Sequence, residues 1–400
     1  MRIVFGVDVF YPLLEGGGEV HTFNVAKNLV KFGHEVTVIS GKSSQFPDDP
    51  MERLQSLKDE EFVDGIHIIR AKKPYKFGST FSSLPALYEM YKIVKEMIRK
   101  NEVDIANFVL YRPVIPFYFA AKGKIPTVLT VHLLSSGFGS WRGWLDYDGG
   151  IIGGIAQKAV EEFVLRLDYD KIMTVSKSLA KQLEKYYPKD RMEIVYNGVD
   201  LEMYDSVEAE EKDENQIIFV GALKKRKNVL DAIEAVKIAR GMIRRDLKLV
   251  IVSGGGELEK EVLRLKEKYG FIEYYKKASD ETKIKLWKES SLFIFPSSKE
   301  GFPLVPVESL ACRTPFIGYD IPEMKEVQEL TSGGILVPYG NVQILAQRIC
   351  ELLEDERLLK ELGEKGRKNV EEKLTWESIA KREEKVFKKV FDKYENTPSI

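Results

Sequence analysis

The sequence predicts an α/β protein built from two doubly wound, Rossmann-like domains that face a central cleft. Three observations predict it. The chain has 400 residues, more than one ordinary hydrophobic core serves. Short apolar runs alternate with helical periodicity almost from end to end, as parallel strands joined by helical crossovers require. The alternation also stops and restarts around one acid-rich stretch, Asp205–Asn215, whose composition is that of a linker.

The elements follow in order. Arg2–Val9, Glu35–Ile39, Ile66–Arg70, Val103–Phe108, Thr127–Val131, Ile172–Val175 and Glu193–Val195 read as short apolar strands. Between them, apolar residues recur at helical spacing in Val20–Lys31, Leu84–Arg99 and Lys177–Tyr187. Gln216–Val220, Leu247–Val252, Phe271–Tyr275, Leu292–Phe295, Pro315–Ile317 and Ile335–Val337 supply the second set of strands. A last amphipathic helix runs from Trp376 to Tyr394. The expected domains are residues 1–202, residues 203–375 and a C-terminal helix, 376–400, that packs back on the first domain.

Composition narrows the classes of function. Sixty-one basic and 62 acidic residues leave a net charge of −1, which is no footprint for nucleic acid. Two cysteines, Cys312 and Cys350, make no disulfide framework and suit a reducing cytoplasm. No apolar run reaches the roughly 18 residues that span a bilayer. Met1 leads directly into an apolar strand, which leaves no room for a signal peptide.

The densest chemical signal is Pro296-Ser297-Ser298-Lys299-Glu300-Gly301-Phe302-Pro303-Leu304-Val305-Pro306-Val307-Glu308. An apolar strand enters it and a helix leaves it, so Glu300 and Glu308 flank a Gly/Pro turn at a strand's carboxyl end. Open α/β sheets bind ligands there, and the following helix offers unpaired N–H groups and a positive dipole end to an anion. Carboxylates beside an anion site suit a ligand with both hydroxyls and phosphates, such as a sugar nucleotide. Val220-Gly221-Ala222-Leu223-Lys224-Lys225-Arg226-Lys227-Asn228 places consecutive cations at another strand end. That cluster reads either as a solvated turn or as a clamp on a diphosphate.

Other motifs are weaker. Gly16, Gly17 and Gly18 lie between the first strand and a helix, a junction that can cradle phosphate but lacks the GxGxxG spacing of dinucleotide folds. His132 ends a strand, where a ligand and a structural role compete. Ser253-Gly254-Gly255-Gly256-Glu257 is another Gly-rich junction, and Asn197-Gly198-Val199-Asp200 reads as an interdomain turn without a ligand. Asp168-Tyr169-Asp170 and Asp146-Tyr147-Asp148 have the DxD spacing of metal sites, and chance explains both in so acidic a chain.

Taken together, these residues resemble the retaining glycosyltransferases of family four, which have the GT-B architecture. The resemblance rests on Gly16-Gly17 leading into a helix that ends at Gly33-His34-Glu35-Val36. It also rests on Thr130-Val131-His132, Val175-Ser176-Lys177-Ser178, Tyr196 through Asp200, Gly221 through Lys227, and Glu300-Gly301-Phe302-Pro303 with Glu308. It implies transfer of a sugar from a nucleoside diphosphate sugar, with retained configuration, no metal and no other cofactor. It implies that Glu308 binds the ribose hydroxyls and Glu300 the donor sugar's hydroxyls. Backbone amides from Phe302 through Pro303 and Leu304 to Val305, after Gly301, would meet sugar and phosphates. Lys227 would bind the diphosphate, Gly17 approach the phosphates, and His132 lie near the reacting centre. Such enzymes often carry an arginine where this chain has Ala222, so Lys224 or Arg226 is expected to supply that charge.

The acceptor is expected to be a carbohydrate or a lipid-linked molecule. Leu133–Ile155, rich in aromatic residues and glycine, together with Lys72, Lys73, Lys76 and the helix Tyr91–Lys100, suits contact with an anionic membrane surface. A packed loop and a solvated helix face are the plain alternative. The competing functions are a nucleotide-sugar epimerase of the same build and a non-catalytic nucleotide-sugar-binding protein. Activity without an acceptor would mark the first, and absence of donor turnover the second.

Overall fold

The computed structural model describes residues 1–14, 16–44, 49–75, 80–109, 114–134 and 158–396. The chain forms two compact units, Met1–Asn197 with Trp376–Ile400, and Gly198–Thr375. Each is an α/β unit around one sheet, as the alternation predicts.

Unit 1 contains β1 (Arg2–Gly6), β2 (Glu35–Ser40), β3 (Glu60–Val63), β4 (Ile66–Arg70), β5 (Ile105–Val109), β6 (Thr127–Val131), β7 (Lys171–Thr174) and β8 (Met192–Ile194). Their order across the sheet is β3-β4-β2-β1-β5-β6-β7-β8. Every pairing is parallel except β3 with β4. All residues of β5 and β6 are buried, as expected for central parallel strands covered on both faces. The chain moves outward from β1 to β2 and β4, then returns to place β5 beside β1. The strand order therefore reverses between β1 and β5.

The β3–β4 hairpin is absent from the sequence reading. Its turn is Asp64-Gly65, with φ of 51° and 79°. Two residues with positive φ match the twist of a two-residue hairpin. The sequence carries that signal as Val63-Asp64-Gly65-Ile66.

The helix Trp376–Glu395 buries Trp376, Ile379, Ala380, Glu383, Val386, Phe387 and Val390, an i, i+3, i+4, i+7 stripe. It packs along the helix Gly17–Lys31. Phe387 also meets Phe5 of β1 edge-on, with ring centroids 6.1 Å apart. Each apolar side chain fully buried this way contributes about 1.5–3 kcal/mol, so the last helix is held firmly within unit 1.

Unit 2 contains β9 (Asp213–Val220), β10 (Lys248–Ser253), β11 (Ile272–Lys276), β12 (Ser290–Phe295), β13 (Phe316–Tyr319) and β14 (Gly334–Val337). The sheet is wholly parallel in the order β11-β10-β9-β12-β13-β14. Its order reverses between β9 and β12, so the switch point that favours ligands lies between their carboxyl ends. The stretch read as a linker is partly ordered structure. Asp213 pairs with Ser290 in the ladder, accepts a bond from Ser291 Oγ at 3.0 Å and meets Lys248 Nζ at 2.9 Å. These contacts let polar residues begin a strand at the sheet's lower edge.

Candidate functional site

β9 and β12 run side by side, with Leu292 opposite Ile217 and Phe293 opposite Ile218. Both end at the switch point, and each leads into one of the two strongest motifs. After β9 the chain forms a short 3-10 turn, Lys225–Lys227, then Asn228 at φ 49°, then the helix Val229–Met242. After β12 it forms the turn that begins at Pro296. The two loops are latched together. Ser298 N donates to Arg226 O at 2.8 Å, Asn228 Nδ2 to Pro296 O at 2.9 Å and Arg226 Nη1 to Lys299 O at 2.9 Å.

The latch brings cations onto one carboxylate. Glu300 Oε1 receives Lys227 Nζ at 2.6 Å, Ser297 Oγ at 2.5 Å and Arg226 Nη1 at 3.1 Å. Ser297 is fully buried and Lys227 is 7% exposed. Lys227 Nζ also lies 4.7 Å from the Phe295 ring centroid, a cation–π contact that partly replaces lost water. Burial pushes the Lys227 ammonium below the ordinary lysine value, against the pull of Glu300. Burial by itself would raise Glu300, but Lys227 and Arg226 hold its carboxyl below the ordinary glutamate value. The cluster is thus a compact group of two cations around one carboxylate, with one positive charge in excess.

The four consecutive cations divide. Lys227 and Arg226 turn to Glu300, and Lys225 turns to Glu257. Lys224 stays exposed. The Gly-rich junction after β10 explains itself by packing. Gly256 has φ 149°, and a Cβ there would lie 2.7 Å from Leu223 O. Leu223 N donates to Gly255 O at 3.0 Å, and Leu258 N to Leu223 O at 2.9 Å. This junction supports the cation loop from behind.

Past Gly301 and the buried Phe302 and Pro303, the helix Leu304–Ala311 begins with Pro303 as its N-cap and no side-chain cap bond. Leu304 and Val305 form its first turn, where N–H groups have no partner within the helix. Glu308 lies one turn further on and is half-buried. Tyr204 is driven well above the ordinary tyrosine value by burial and then by the negative charge of Glu308. Burial lowers Lys283, yet Glu308 and Asp280 carry it above the ordinary lysine value. Tyr204 and Lys283 are therefore neighbours of Glu308, and the sequence reading named neither.

Unit 1 presents a different site. Gly16 is the N-cap of the helix Gly17–Lys31. Gly17 is exposed, and a Cβ on it would meet nothing within 4 Å. His132 follows β6, and both its ring nitrogens are shielded from solvent without a hydrogen-bond partner among the described residues. Burial, and then His21, hold His132 well below the ordinary histidine value, so the ring is neutral. It meets the His21 ring edge-on, with centroids 4.7 Å apart. Asn197, read as part of a plain turn, is 3% exposed and places Oδ1 2.8 Å from His21 Nδ1.

The other spacing motifs have structural partners. Asp170 accepts from Thr127 N at 2.8 Å and from Thr127 Oγ1 at 3.1 Å, while Asp168 pairs with Arg191 and Tyr169 is fully buried. Asp146-Tyr147-Asp148, Lys76 and most of Leu133–Ile155 lie outside the described residues. Among the described residues, no group of three or more His, Cys, Asp or Glu side chains can hold a metal ion. No helix among them is long and apolar enough to cross a membrane.

Comparison with known proteins matches both halves of the chain. Residues 15–203 match the family described as Glycosyltransferase Family 4. Residues 202–369 match the family described as Glycosyl transferases group 1. An uncharacterised glycosyltransferase of Methanocaldococcus jannaschii is 27% identical over 390 residues, covering 96% of this chain and 97% of that one. The N-acetyl-alpha-D-glucosaminyl L-malate synthase of Bacillus anthracis is 28% identical over 54% of this chain and 59% of its own. The solved sucrose-phosphate synthase of Thermosynechococcus elongatus superposes with a TM-score of 0.75 at 19% identity, over 98% of this chain and 99% of that one. Anabaena HepE, solved with UDP and glucose, superposes with a TM-score of 0.70 at 15% identity, over 97% and 100%. At these identities the structural likeness speaks for the fold alone.

Proposed function

We propose that the chain, whose two halves match two glycosyltransferase family models, is a retaining hexosyltransferase of GT-B type using a nucleoside diphosphate sugar. The observation that carries this reading is the convergence of Lys227, Arg226 and Ser297 on one oxygen of Glu300 at the switch point of unit 2. Such a cluster meets the two charges that the reaction creates. Departure of the diphosphate builds negative charge, and fixed cations with a helix N-terminus stabilise it without reorganisation. Lys227 and Arg226 take that role, Arg226 supplying the charge that Ala222 lacks. The first turn after Pro303 adds its N–H groups.

With Oε1 engaged, Glu300 turns Oε2 to the donor sugar's hydroxyls, and Glu308 accepts from the ribose hydroxyls. Gly17 offers uncovered backbone to the phosphates. His132 supplies a neutral imidazole near the reacting carbon, where a hydroxyl of the sugar satisfies its unpartnered nitrogen. The acceptor hydroxyl attacks the face from which the diphosphate leaves. The new C–O bond forms as the C–O bond to phosphate breaks, and the acceptor's proton passes to the leaving phosphate. No protein nucleophile and no metal takes part.

The acceptor is a carbohydrate or a lipid-linked molecule. The helix Thr80–Arg99 exposes Leu84 and Tyr88, with Lys92 Nζ 4.5 Å above the Tyr88 ring. Such a surface suits an anionic membrane, and flotation with anionic liposomes tests it. The central experiment screens UDP-, GDP- and ADP-sugars for thermal stabilisation. It then follows the anomeric configuration of the transferred sugar by NMR, with and without chelator. Retention in chelator supports the reading. An inverted product, or activity lost in chelator and restored by manganese, overturns the mechanism. Sugar conversion without any acceptor points to an epimerase.

A further inference from the structure

The helix Gly17–Lys31 carries a buried histidine that the proposed reaction does not use. Gly18 and His21 are three residues apart and share one face of the helix. His132 packs on that face. A Cβ on Gly18 would lie 3.3 Å from His132 Cδ2, so the glycine admits the ring. The His21 ring then meets the His132 ring at 69°.

His21 is itself gripped on both nitrogens. Nδ1 lies 2.8 Å from Asn197 Oδ1, and Nε2 lies 2.5 Å from Glu383 Oε1. The Trp376 ring closes the group edge-on at 5.5 Å. His21 is 2% exposed and Glu383 0%. His21 is the base that this buried carboxyl meets. Each ring nitrogen of His21 thus has a side-chain oxygen within hydrogen-bond distance. Two oxygens, one at each ring nitrogen, are the partners an imidazolium takes.

His21 is the charged neighbour that bears on His132, and Glu383 meets His21. Glu19, also buried, is two positions before His21 on the same helix, a spacing at which side chains do not face one another. A charged ring against His132 opposes its protonation, and burial acts in the same direction.

We propose that His21, Asn197 and Glu383 are positioning residues for the transferase: they hold a charged imidazole against His132, fix the orientation of that ring and keep it uncharged. The inference rests on the reading of His132 as a group at the reacting centre. It gives the last helix a role in the chemistry, since Glu383 arrives from that helix.

The chain has four histidines, so ring signals of the full-length protein can be assigned by substitution and followed by NMR against pH. Glu383→Gln keeps the shape and removes the charge. The expected result is a higher titration midpoint for His132. The acid limb of kcat/KM should move up in step, and kcat should fall by about tenfold or more, as for outer partners of an active group, while donor KM changes much less. Glu383→Asp should restore part of each. An unmoved His132 midpoint in folded Glu383→Gln overturns the inference. If that variant does not fold, the double variant His21→Phe with Glu383→Met removes both charges and leaves neither unpaired. The same rise is expected there, and an unmoved midpoint again overturns the inference. His132→Ala separates the two levels. Unchanged transfer in that variant removes the functional reading itself. Lost transfer with an unmoved midpoint in Glu383→Gln removes only the positioning role.

Discussion

At the carboxyl edge of unit 2, Glu300 is matched by Lys227, Arg226 and Ser297. At the carboxyl edge of unit 1, His132 keeps both ring nitrogens shielded and unpartnered. The first group is complete in itself, and a ligand must compete with Glu300 for its cations. The second has hydrogen-bonding capacity that no described residue uses. Ion pairing makes the first edge stiff. Unmet polarity makes the second edge selective, because a group that fails to satisfy it leaves the cost in place.

The largest expected effect tests whether the cations of unit 2 act on charge that develops during reaction. Lys227→Ala should lower kcat by about 10²–10³-fold, with nucleotide affinity changed far less. Steady-state kinetics beside calorimetry decides, and an unchanged kcat would remove Lys227 from the clamp. Next, Glu308→Ala should weaken donor binding by about 1.5–3 kcal/mol through lost charged hydrogen bonds, and calorimetry with unchanged affinity would end its ribose role. A smaller effect is expected behind the cluster. Gly256→Ala forces a Cβ against Leu223 O at 2.7 Å and should cost about 1–3 kcal/mol of stability, read as a lower thermal midpoint. A parent-like midpoint would mean that the two loops move independently.

The smallest effect concerns acid. Glu300 is held below its ordinary value in the folded chain, so its stabilising contribution is complete above the unfolded carboxylate range. That contribution is lost as pH falls through the lower folded value, in a window below about pH 4. Thermal midpoints measured down this range should therefore fall more steeply for the parent than for Glu300→Gln. Equal slopes would show that the ionised Glu300 adds nothing to stability.

Much of this was legible because it is local. Strand and helix periodicity gave the order of elements, and Lys227 and Glu300 each stood at the end of an apolar run. Those runs proved to be neighbours in the sheet, which turned two motifs into one cluster. Asp213–Asn215 was not legible as strand, because its polar side chains are supported by Ser290, Ser291 and Lys248 from elsewhere in the chain. The partnership of His21 with Glu383 joins residues 362 positions apart, beyond any local spacing. A trace of it was present nonetheless. Glu383 falls on the stripe of Trp376, Ile379, Ala380 and Phe387, and a lone carboxylate on a buried apolar stripe calls for a partner.

That partnership bears on the order in which the chain is made. A ribosome delivers His21 early and Glu383 late, and the whole of Gly198–Thr375 is synthesised between them. The second unit thus has every one of its residues before the first has its closing helix. During translation the N-terminal sheet must wait, with the Phe5 ring and the His21 imidazole uncovered, for the piece that completes it. Newborn chains halted short of Trp376 would carry a finished second unit beside an unfinished first, the form on which chaperones and proteases act.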